Sequence, residues 1–216
     1  MSKKETTYIV SKLSAKGPLS ILDIGVGNGR ILEALSKKSS STSKIFGLDI
    51  SEKMIAICKR LFKGSKKVLQ LRVCDLSSAE VPYKTKFDFV TVIRVLKYNP
   101  NWRFMLKKIY NSMKSKGTLV FTMPNNQSIS ILSGDKFSDQ NSPIIYSNPS
   151  ELKIILLSLG FEKVETVAFS KLPNFLYHLS ENKRYVNILL RSEELLEKML
   201  GRSLLGRELF VSCTKI

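Results

Sequence analysis

The sequence predicts an α/β domain: a doubly wound, mostly parallel sheet of seven strands with helices on both faces. Three observations predict it. Strand-like and helix-like segments alternate along nearly all 216 residues, the pattern of repeated strand–helix crossovers. The strand runs are almost continuous in apolar and β-branched residues, as when both faces of a sheet are covered. A glycine-rich turn, Gly25-Val26-Gly27-Asn28-Gly29, separates the first strand from the helix after it. Crossovers between such parallel strands are right-handed.

Residues 19–24 (LSILDI) are a short apolar run ended by glycines, the first strand. Residues 31–38 have helical spacing, with Ile31, Leu32 and Leu35 on one face. Residues 44–50 (KIFGLDI) are the second strand, and Ser51 caps a helix carrying Met54, Ile55, Ile57, Cys58 and Leu61. Residues 68–74 and 87–93 are strands three and four. Phe104, Met105, Ile109 and Met113 stripe a helix over 102–113, with Asn99 as its cap and Pro100 in its first turn. Residues 114–117 (KSKG) close that helix, with left-handed backbone expected at Gly117. Residues 118–123 are the fifth strand. Residues 125–149, rich in Asn, Ser, Asp, Gly and Pro, read as a long connection. Asn148-Pro149-Ser150-Glu151 is a strong helix start, and the helix runs through Leu152, Ile155, Leu156 and Leu159 to Gly160. Residues 161–169 and 208–215 are the last two strands, with amphipathic stretches near 175–179 and 185–200 between them. The expected organisation is one domain over 1–216, with a helical insert at about 170–205 before the last strand.

Composition excludes several classes. With 43 % hydrophobic residues the chain can bury a core, which argues against disorder. Three cysteines, Cys58, Cys74 and Cys213, are too few and odd in number for a disulfide scaffold and fit a reducing cytoplasm. No apolar run reaches the roughly 18–20 residues of a membrane span. The N-terminus turns polar again after Tyr8-Ile9-Val10, so no signal-peptide core is expected. The net charge is +17, from 35 basic and 18 acidic residues. The surplus is +9 in residues 1–70, +6 in 71–140 and only +2 in 141–216. Such a surplus points to an anionic partner, a nucleic acid or a membrane surface. Two basic patches, Lys59-Arg60-Lys63-Lys66-Lys67 and Arg103-Lys107-Lys108-Lys114-Lys116, read first as solvated helix faces.

The chemistry is carried by Asp23-Ile24-Gly25-Val26-Gly27-Asn28-Gly29. Glycines there let the backbone approach a ligand closely, and the helix N-terminus behind them favours a polar or anionic ligand group. Twenty residues after Gly29, Asp49 ends the second strand, where a carboxylate accepts from ribose hydroxyls. A dinucleotide motif needs glycine at position 30, which is Arg30. Asp23, two residues before the first glycine, suits the cationic amino-acid part of S-adenosylmethionine better than a pyrophosphate.

On these residues the chain resembles the class I S-adenosylmethionine-dependent methyltransferases, in their small-molecule, type 11/12-like branch. Residues 21–29 resemble the family's first motif, under the methionine part of the cofactor. Gly47-Leu48-Asp49-Ile50-Ser51 resembles the second, with Asp49 on the ribose and Ile50 beside the adenine. Cys74-Asp75-Leu76 resembles the third, where Asp75 meets the adenine amino group and Leu76 its ring. Residues 87–92 resemble the fourth motif, and residues 113–119 the family's Leu-Lys-Pro-Gly-Gly turn, with Ser-Lys in place of Pro-Gly. Leu159-Gly160-Phe161 resembles the entry to the sixth strand. The resemblance implies a Rossmann-like sheet with an antiparallel last strand and S-adenosyl-L-methionine as cofactor. The implied cofactor-binding residues are Asp23, Gly25, Gly27, Asn28, Gly29, Asp49, Ile50, Asp75, Leu76 and Ile93. Asp88 is read as orienting a turn, outside the site.

The acceptor side is less specific. Residues 93–102 (IRVLKYNPNW) follow the fourth strand, where the family faces the transferred methyl. The amino-group motif Asn-Pro-Pro-aromatic does not fit, because Asn99 lies several residues past the strand and Asn101 replaces the second proline. No cysteine follows a proline, which excludes the cytosine-C5 mechanism, and no carboxylate cluster suggests a metal. His178, a base candidate in the insert before the last strand, Tyr98 and Arg94 are the residues put forward for acceptor chemistry, with Lys97 beside them. The segment 94–102 together with Met123-Pro124-Asn125 resembles methyltransferases acting on lipid, quinone or glycan precursors. The leading expectation is methyl transfer to a small-molecule or lipid-like acceptor, in the cytoplasm or at the inner membrane surface. A tRNA or rRNA acceptor served by the basic surface comes second, and a non-catalytic S-adenosylmethionine-binding protein third. The sequence specifies no oligomeric state.

Overall fold

Parallel strands follow where buried β-branched and apolar runs alternate with amphipathic helices. A computed structural model describes residues 3–13, 17–132, 143–170, 182–200 and 205–216, with 172, 176 and 179. The chain runs α1 (Lys3–Ser11), β1 (Ser20–Ile24), α2 (Arg30–Lys38), β2 (Lys44–Asp49), α3 (Glu52–Leu61), β3 (Val68–Val73) and β4 (Phe87–Val92). It continues with a 3-10 turn (Leu96–Tyr98), α4 (Trp102–Ser112), β5 (Met113–Pro124), α5 (Ile129–Leu132), α6 (Pro149–Ser158) and β6 (Phe161–Phe169). A last helix, Lys183–Leu200, precedes β7 (Glu208–Lys215).

The seven strands form one sheet in the order β3-β2-β1-β4-β5-β7-β6. The pairs β1–β2, β1–β4, β2–β3 and β4–β5 are parallel, and β7 runs antiparallel between β5 and β6. Strand order reverses beside β1, so the carboxyl ends of β1, β2 and β4 meet at a topological switch point, where open α/β sheets bind ligands.

Side chains alternate across the sheet, and each face has its own core. Leu22, Ile24, Phe46, Leu48, Val90, Val92 and Phe121 pack with Trp102, Leu106 and Ile109 of α4 and Leu152 and Leu156 of α6. Ile21, Ile45, Phe89, Val120 and Phe210 pack on the other face with Ile9 of α1, Leu32 and Leu35 of α2, and Ile55 and Cys58 of α3.

Four local readings need correction. The sequence pattern does not announce the Lys3–Ser11 helix; Glu5 and Ile9 are its buried residues, with Leu13 buried just past its end, and a carboxylate on that face breaks the apolar stripe by which a helix is read. Asn99 does not cap α4: its Oδ1 accepts from Asn101 N (2.8 Å) in a turn, and α4 begins at Trp102. The left-handed residue before the fifth strand is Lys116, with φ of 61°. Gly117 is needed for space, because a Cβ there would lie 2.9 Å from the Lys114 and Phe87 carbonyl oxygens. The segment 114–117 is a bulge inside β5 rather than a turn before it, shifting the register between Phe87↔Met113 and Phe89↔Thr118.

The basic patches are also revised. Lys108 is buried, and Lys67 Nζ donates to the Ser36 and Ser39 carbonyls at 2.6 and 2.9 Å. Arg103 pairs with Glu151, and Lys114 with Asp88. Lys59, Arg60, Lys63 and Lys66 remain on an exposed surface. Part of the positive charge thus ties the fold together through carbonyls and carboxylates. Among the described residues no helix is long and apolar enough to cross a membrane.

Candidate functional site

The cleft at the switch point measures about 390 Å³, within the ~300–1,000 Å³ range of small-molecule sites. Its lining includes Gly25, Asp49, Ile50, Asp75, Leu76 and Ile93, six of the ten residues expected to hold the cofactor. Arg94, Val95, Tyr98, Asn99 and Met105 line it further along. Ile50 is 68 % exposed, an apolar side chain standing open at the cleft.

The glycine loop is shaped by hydrogen bonds from its surroundings. Gly25 N and Val26 N donate to the Leu48 carbonyl at 2.7 and 3.0 Å, and Gly27 N donates to Asp49 Oδ2 at 2.8 Å. Asp49 Oδ1 accepts from Ser51 N at 2.9 Å. One carboxylate therefore joins the loop after β1 to the cap of α3. Gly25 has φ of 78° and a Cβ there would overlap Val95, so this position excludes side chains twice over. Gly29 faces away: a Cβ there would meet Leu61, Cys58 and Phe62 at 3.1–3.2 Å, so its role is close approach of α2 to α3. Asn28 is exposed. Asp23, Gly27, Asn28 and Gly29 are not among the residues that line the cleft.

Asp23 lies beneath the loop, 1 % exposed. Its Oδ1 accepts from Thr91 Oγ1 at 2.6 Å across the β1–β4 pairing, and its Oδ2 is buried without a hydrogen-bond partner. Burial pushes the carboxyl up to about 7, with the Thr91 hydrogen bond opposing and the Asp49 charge adding to the rise. A dry carboxylate with an uncommitted oxygen beside a glycine cradle fits a ligand with a cationic group. The residues present therefore fit S-adenosylmethionine, whose ammonium and sulfonium are cations.

On the cleft wall after β3, Asp75 Oδ1 accepts from Ser77 N at 2.8 Å. Ser77 first, through its side chain and backbone, and Ser78 and Lys108 less, hold the Asp75 carboxyl below the usual range against a small effect of burial. Cys74 is one residue past β3 rather than inside it, and it lines the cleft. Asp88 lies outside, accepting from Ser20 N and Lys114 Nζ, both at 2.8 Å.

The cleft wall after β4 holds two of the three candidates for acceptor chemistry. Tyr98 lines the cleft and is 46 % exposed, with Lys97 Nζ 4.7 Å from its ring centroid. Arg94 is also on the wall, but its guanidinium is engaged. Nε and Nη2 donate to Glu208 at 2.8 and 2.6 Å, and Nη2 lies 3.4 Å from Glu5. Both carboxylates are nearly buried. Burial opposes the guanidinium's charge, and Glu208 and then Glu5 outweigh it, raising its pKa. Arg94 also has φ of 61°, and its N–H donates to Thr122 Oγ1 at 2.8 Å. Such strain persists where neighbours over-determine the backbone. Sequence reasoning missed Glu5, Glu208, Thr91 and Thr122. Only the strand register, which sets Asp23 opposite Thr91, offered a signal for any of them. His178 lies outside the described residues.

The ends of the long connection are pinned beside this wall. Asn125 Nδ2 donates to the Gly206 carbonyl (2.8 Å), Ser147 N to the Pro124 carbonyl (3.0 Å), and Ile145 N to the Lys97 carbonyl (2.9 Å). Residues 133–142 between them lie outside the described set.

Residues 22–121 match the family model described as a methyltransferase domain. The chain is 27 % identical over 184 residues to demethylmenaquinone methyltransferase of Oceanobacillus iheyensis, covering 74 % of this chain and 77 % of that one. It is 29 % identical over 162 residues to the mitochondrial ubiquinone biosynthesis O-methyltransferase of Rattus norvegicus, covering 69 % of this chain and 46 % of that one. Among solved structures it resembles Haemonchus contortus phosphoethanolamine N-methyltransferase 2 in complex with S-adenosyl-L-methionine, with a TM-score of 0.68 at 17 % identity, over 99 % of this chain and 53 % of that one. The chain thus spans about half the length of the last two.

Proposed function

We propose that the chain is a class I S-adenosylmethionine-dependent methyltransferase, as its methyltransferase-domain match over residues 22–121 supports, and that it methylates a small aromatic or lipid-like acceptor of the quinone-precursor kind. The observation that carries this reading is the acceptor end of the cleft. Val95, Tyr98, Asn99 and Met105 give it an apolar wall with one phenol and one amide. The cation beside them, Arg94, is bound to Glu208 and Glu5. Such a wall suits an apolar ring with few polar groups better than a polyanion. The relatives named for demethylmenaquinone methylation and ubiquinone biosynthesis support the same acceptor class.

In this reading Asp49 receives the ribose hydroxyls while it holds Gly27 and Ser51 in place. Ile50 flanks the adenine, and Asp75 with Leu76 meets its edge. Gly25 and Gly27 let the backbone reach the methionine part, and Asp23 balances its positive charge from below. Ile93 lies beside the transferred methyl. The bound cofactor supplies a methyl group already activated by its sulfonium. The protein contributes proximity and orientation, which direct displacement needs most. Tyr98 is positioned to touch the acceptor's polar group.

The same reading places the enzyme at an anionic membrane surface, where lipid-like acceptors reside. On the Lys183–Leu200 helix, Ile188, Leu195 and Met199 share one stripe and are 62, 58 and 74 % exposed, and Arg184 and Arg191 are exposed beside it. An apolar stripe flanked by basic residues suits an interfacial helix.

The test is transfer of labelled methyl from S-adenosylmethionine to demethylmenaquinol and to hydroxylated quinol precursors, with bulk tRNA and rRNA as competing acceptors. Labelled quinone supports the proposal. Label in RNA alone, or in no acceptor despite cofactor binding, contradicts it in favour of an RNA methyltransferase or a binding protein without turnover.

A further inference from the structure

Lys108 belongs to α4, yet its ammonium serves the turn after β3. It is 4 % exposed, whereas its neighbour Lys107 is exposed. Its Nζ donates to the carbonyls of Leu76 (3.1 Å), Ser77 (3.4 Å) and Ala79 (2.9 Å). A lysine ammonium has three N–H donors, and all three go to this one turn. The Phe104 ring lies against the same ammonium, its centroid 4.7 Å away, an arrangement that favours the cation.

The turn itself is wound by Asp75. Its Oδ1 accepts from Ser77 N at 2.8 Å, and its carbonyl accepts from Ser78 N at 3.2 Å and Ala79 N at 2.9 Å. Winding residues 75–79 this way aims the Leu76, Ser77 and Ala79 carbonyls toward one buried point. Converging carbonyls carry partial negative charge, as at a helix C-terminus, and a buried cation there is the matching group. Three residues of this turn, Asp75, Leu76 and Ser77, line the cleft.

We propose that Lys108 is a positioning residue for the cofactor's nucleobase. Its three-carbonyl clasp fixes the 75–79 turn so that the Asp75 carboxylate and the Leu76 N–H stand as an acceptor–donor pair of set spacing. That pair matches adenine, which offers an amino donor beside a ring-nitrogen acceptor. It mismatches hypoxanthine, which offers an oxygen acceptor beside a ring N–H. Lys108 thereby sets base discrimination without touching the base. The inference rests on the placement of adenine at Asp75 and Leu76 proposed above.

Calorimetric titration with S-adenosylhomocysteine and S-inosylhomocysteine tests it, using wild type, Asp75→Ala, Lys108→Met and Lys108→Arg. Wild type is expected to prefer the adenosyl ligand by about tenfold or more, the scale of a hydrogen bond to a charged group. Asp75→Ala lowers that preference to the share read by the Leu76 N–H at the ring nitrogen. Lys108→Met, which keeps an unbranched stem without the charge, lowers adenosyl affinity while leaving inosyl affinity within about twofold, so the preference collapses. Lys108→Arg keeps the charge in a planar fork and falls between the two. A loss of preference in Asp75→Ala with full preference in Lys108→Met overturns the role of Lys108 alone. An equal loss of both ligands in Lys108→Met overturns it too, since a merely structural lysine would act that way. Intact preference in Asp75→Ala overturns the adenine placement and the inference with it. Should Lys108→Met fail to fold, Lys108→Arg decides: reduced preference supports the role and full preference refutes it.

Discussion

Replacing Asp23 by Asn should stabilise the ligand-free protein at alkaline pH while weakening cofactor binding. Asp23 is 1 % exposed and its carboxyl is pushed up to about 7 from the 3.8 of an exposed group. Burial is the main cause, so the folded state favours the protonated form. An acid whose pKa is higher folded than unfolded supports stability below its unfolded value, and that support is lost as pH rises through the folded value. The window is therefore about pH 4 to 7. A pH of 5 lies about two units below the folded value, so the wild type should lose about 3 kcal/mol from this group between pH 5 and pH 8. An asparagine side chain cannot ionise and escapes the loss. Its amide leaves an N–H where Asp23 Oδ2 now has no partner, which costs about 1–3 kcal/mol at every pH. Denaturant unfolding at pH 5 and pH 8 should show the Asp23→Asn variant gaining on the wild type by about 3 kcal/mol between the two. In calorimetry, cofactor affinity of the wild type should rise from pH 6 to pH 8 with proton release, and the variant should bind more weakly without that dependence. Equal pH slopes for the two proteins would refute the reasoning.

The other predictions concern the cradle and the ion triad. Asp49→Ala frees the Gly27 and Ser51 N–H groups it now accepts, and should abolish measurable cofactor binding and destabilise by about 1–3 kcal/mol in denaturant unfolding. Gly25→Ala forces a side chain into left-handed backbone and against Val95. It should lower stability by about 1–3 kcal/mol and leave cofactor titrations flat. Arg94→Ala leaves Glu5 and Glu208 facing each other in a nearly buried site. Removing one partner of a buried pair costs about 3–5 kcal/mol, and the 35 % exposure of the guanidinium reduces that to about 2 kcal/mol, readable as a lower melting temperature.

Much of the fold was legible because burial writes itself into composition. Residues 44–50 and 87–93 are apolar on both faces since helices cover both, and Asn148-Pro149 starts α6 as its chemistry requires, with Asn148 Oδ1 accepting from Glu151 N. The glycine loop and Asp49 were legible because close backbone approach and a strand-end carboxylate leave short local motifs. What stayed hidden depends on distant partners. Glu5 reads as a polar surface residue until β4 brings Arg94, 89 positions away, to its side. Lys108 reads as one of a basic run until the 75–79 turn folds over it. The left-handed Arg94 and Lys116 could not be foreseen, because no local feature favours φ near 61° in those side chains.

The most direct test of the account is a crystal structure of the protein with S-adenosylhomocysteine. It should show the ribose hydroxyls on Asp49, the adenine between Ile50 and the Asp75–Leu76 edge, and the amino-acid part over Gly25 and Gly27. A ligand bound elsewhere, or a cleft that stays empty at saturating concentration, would contradict it.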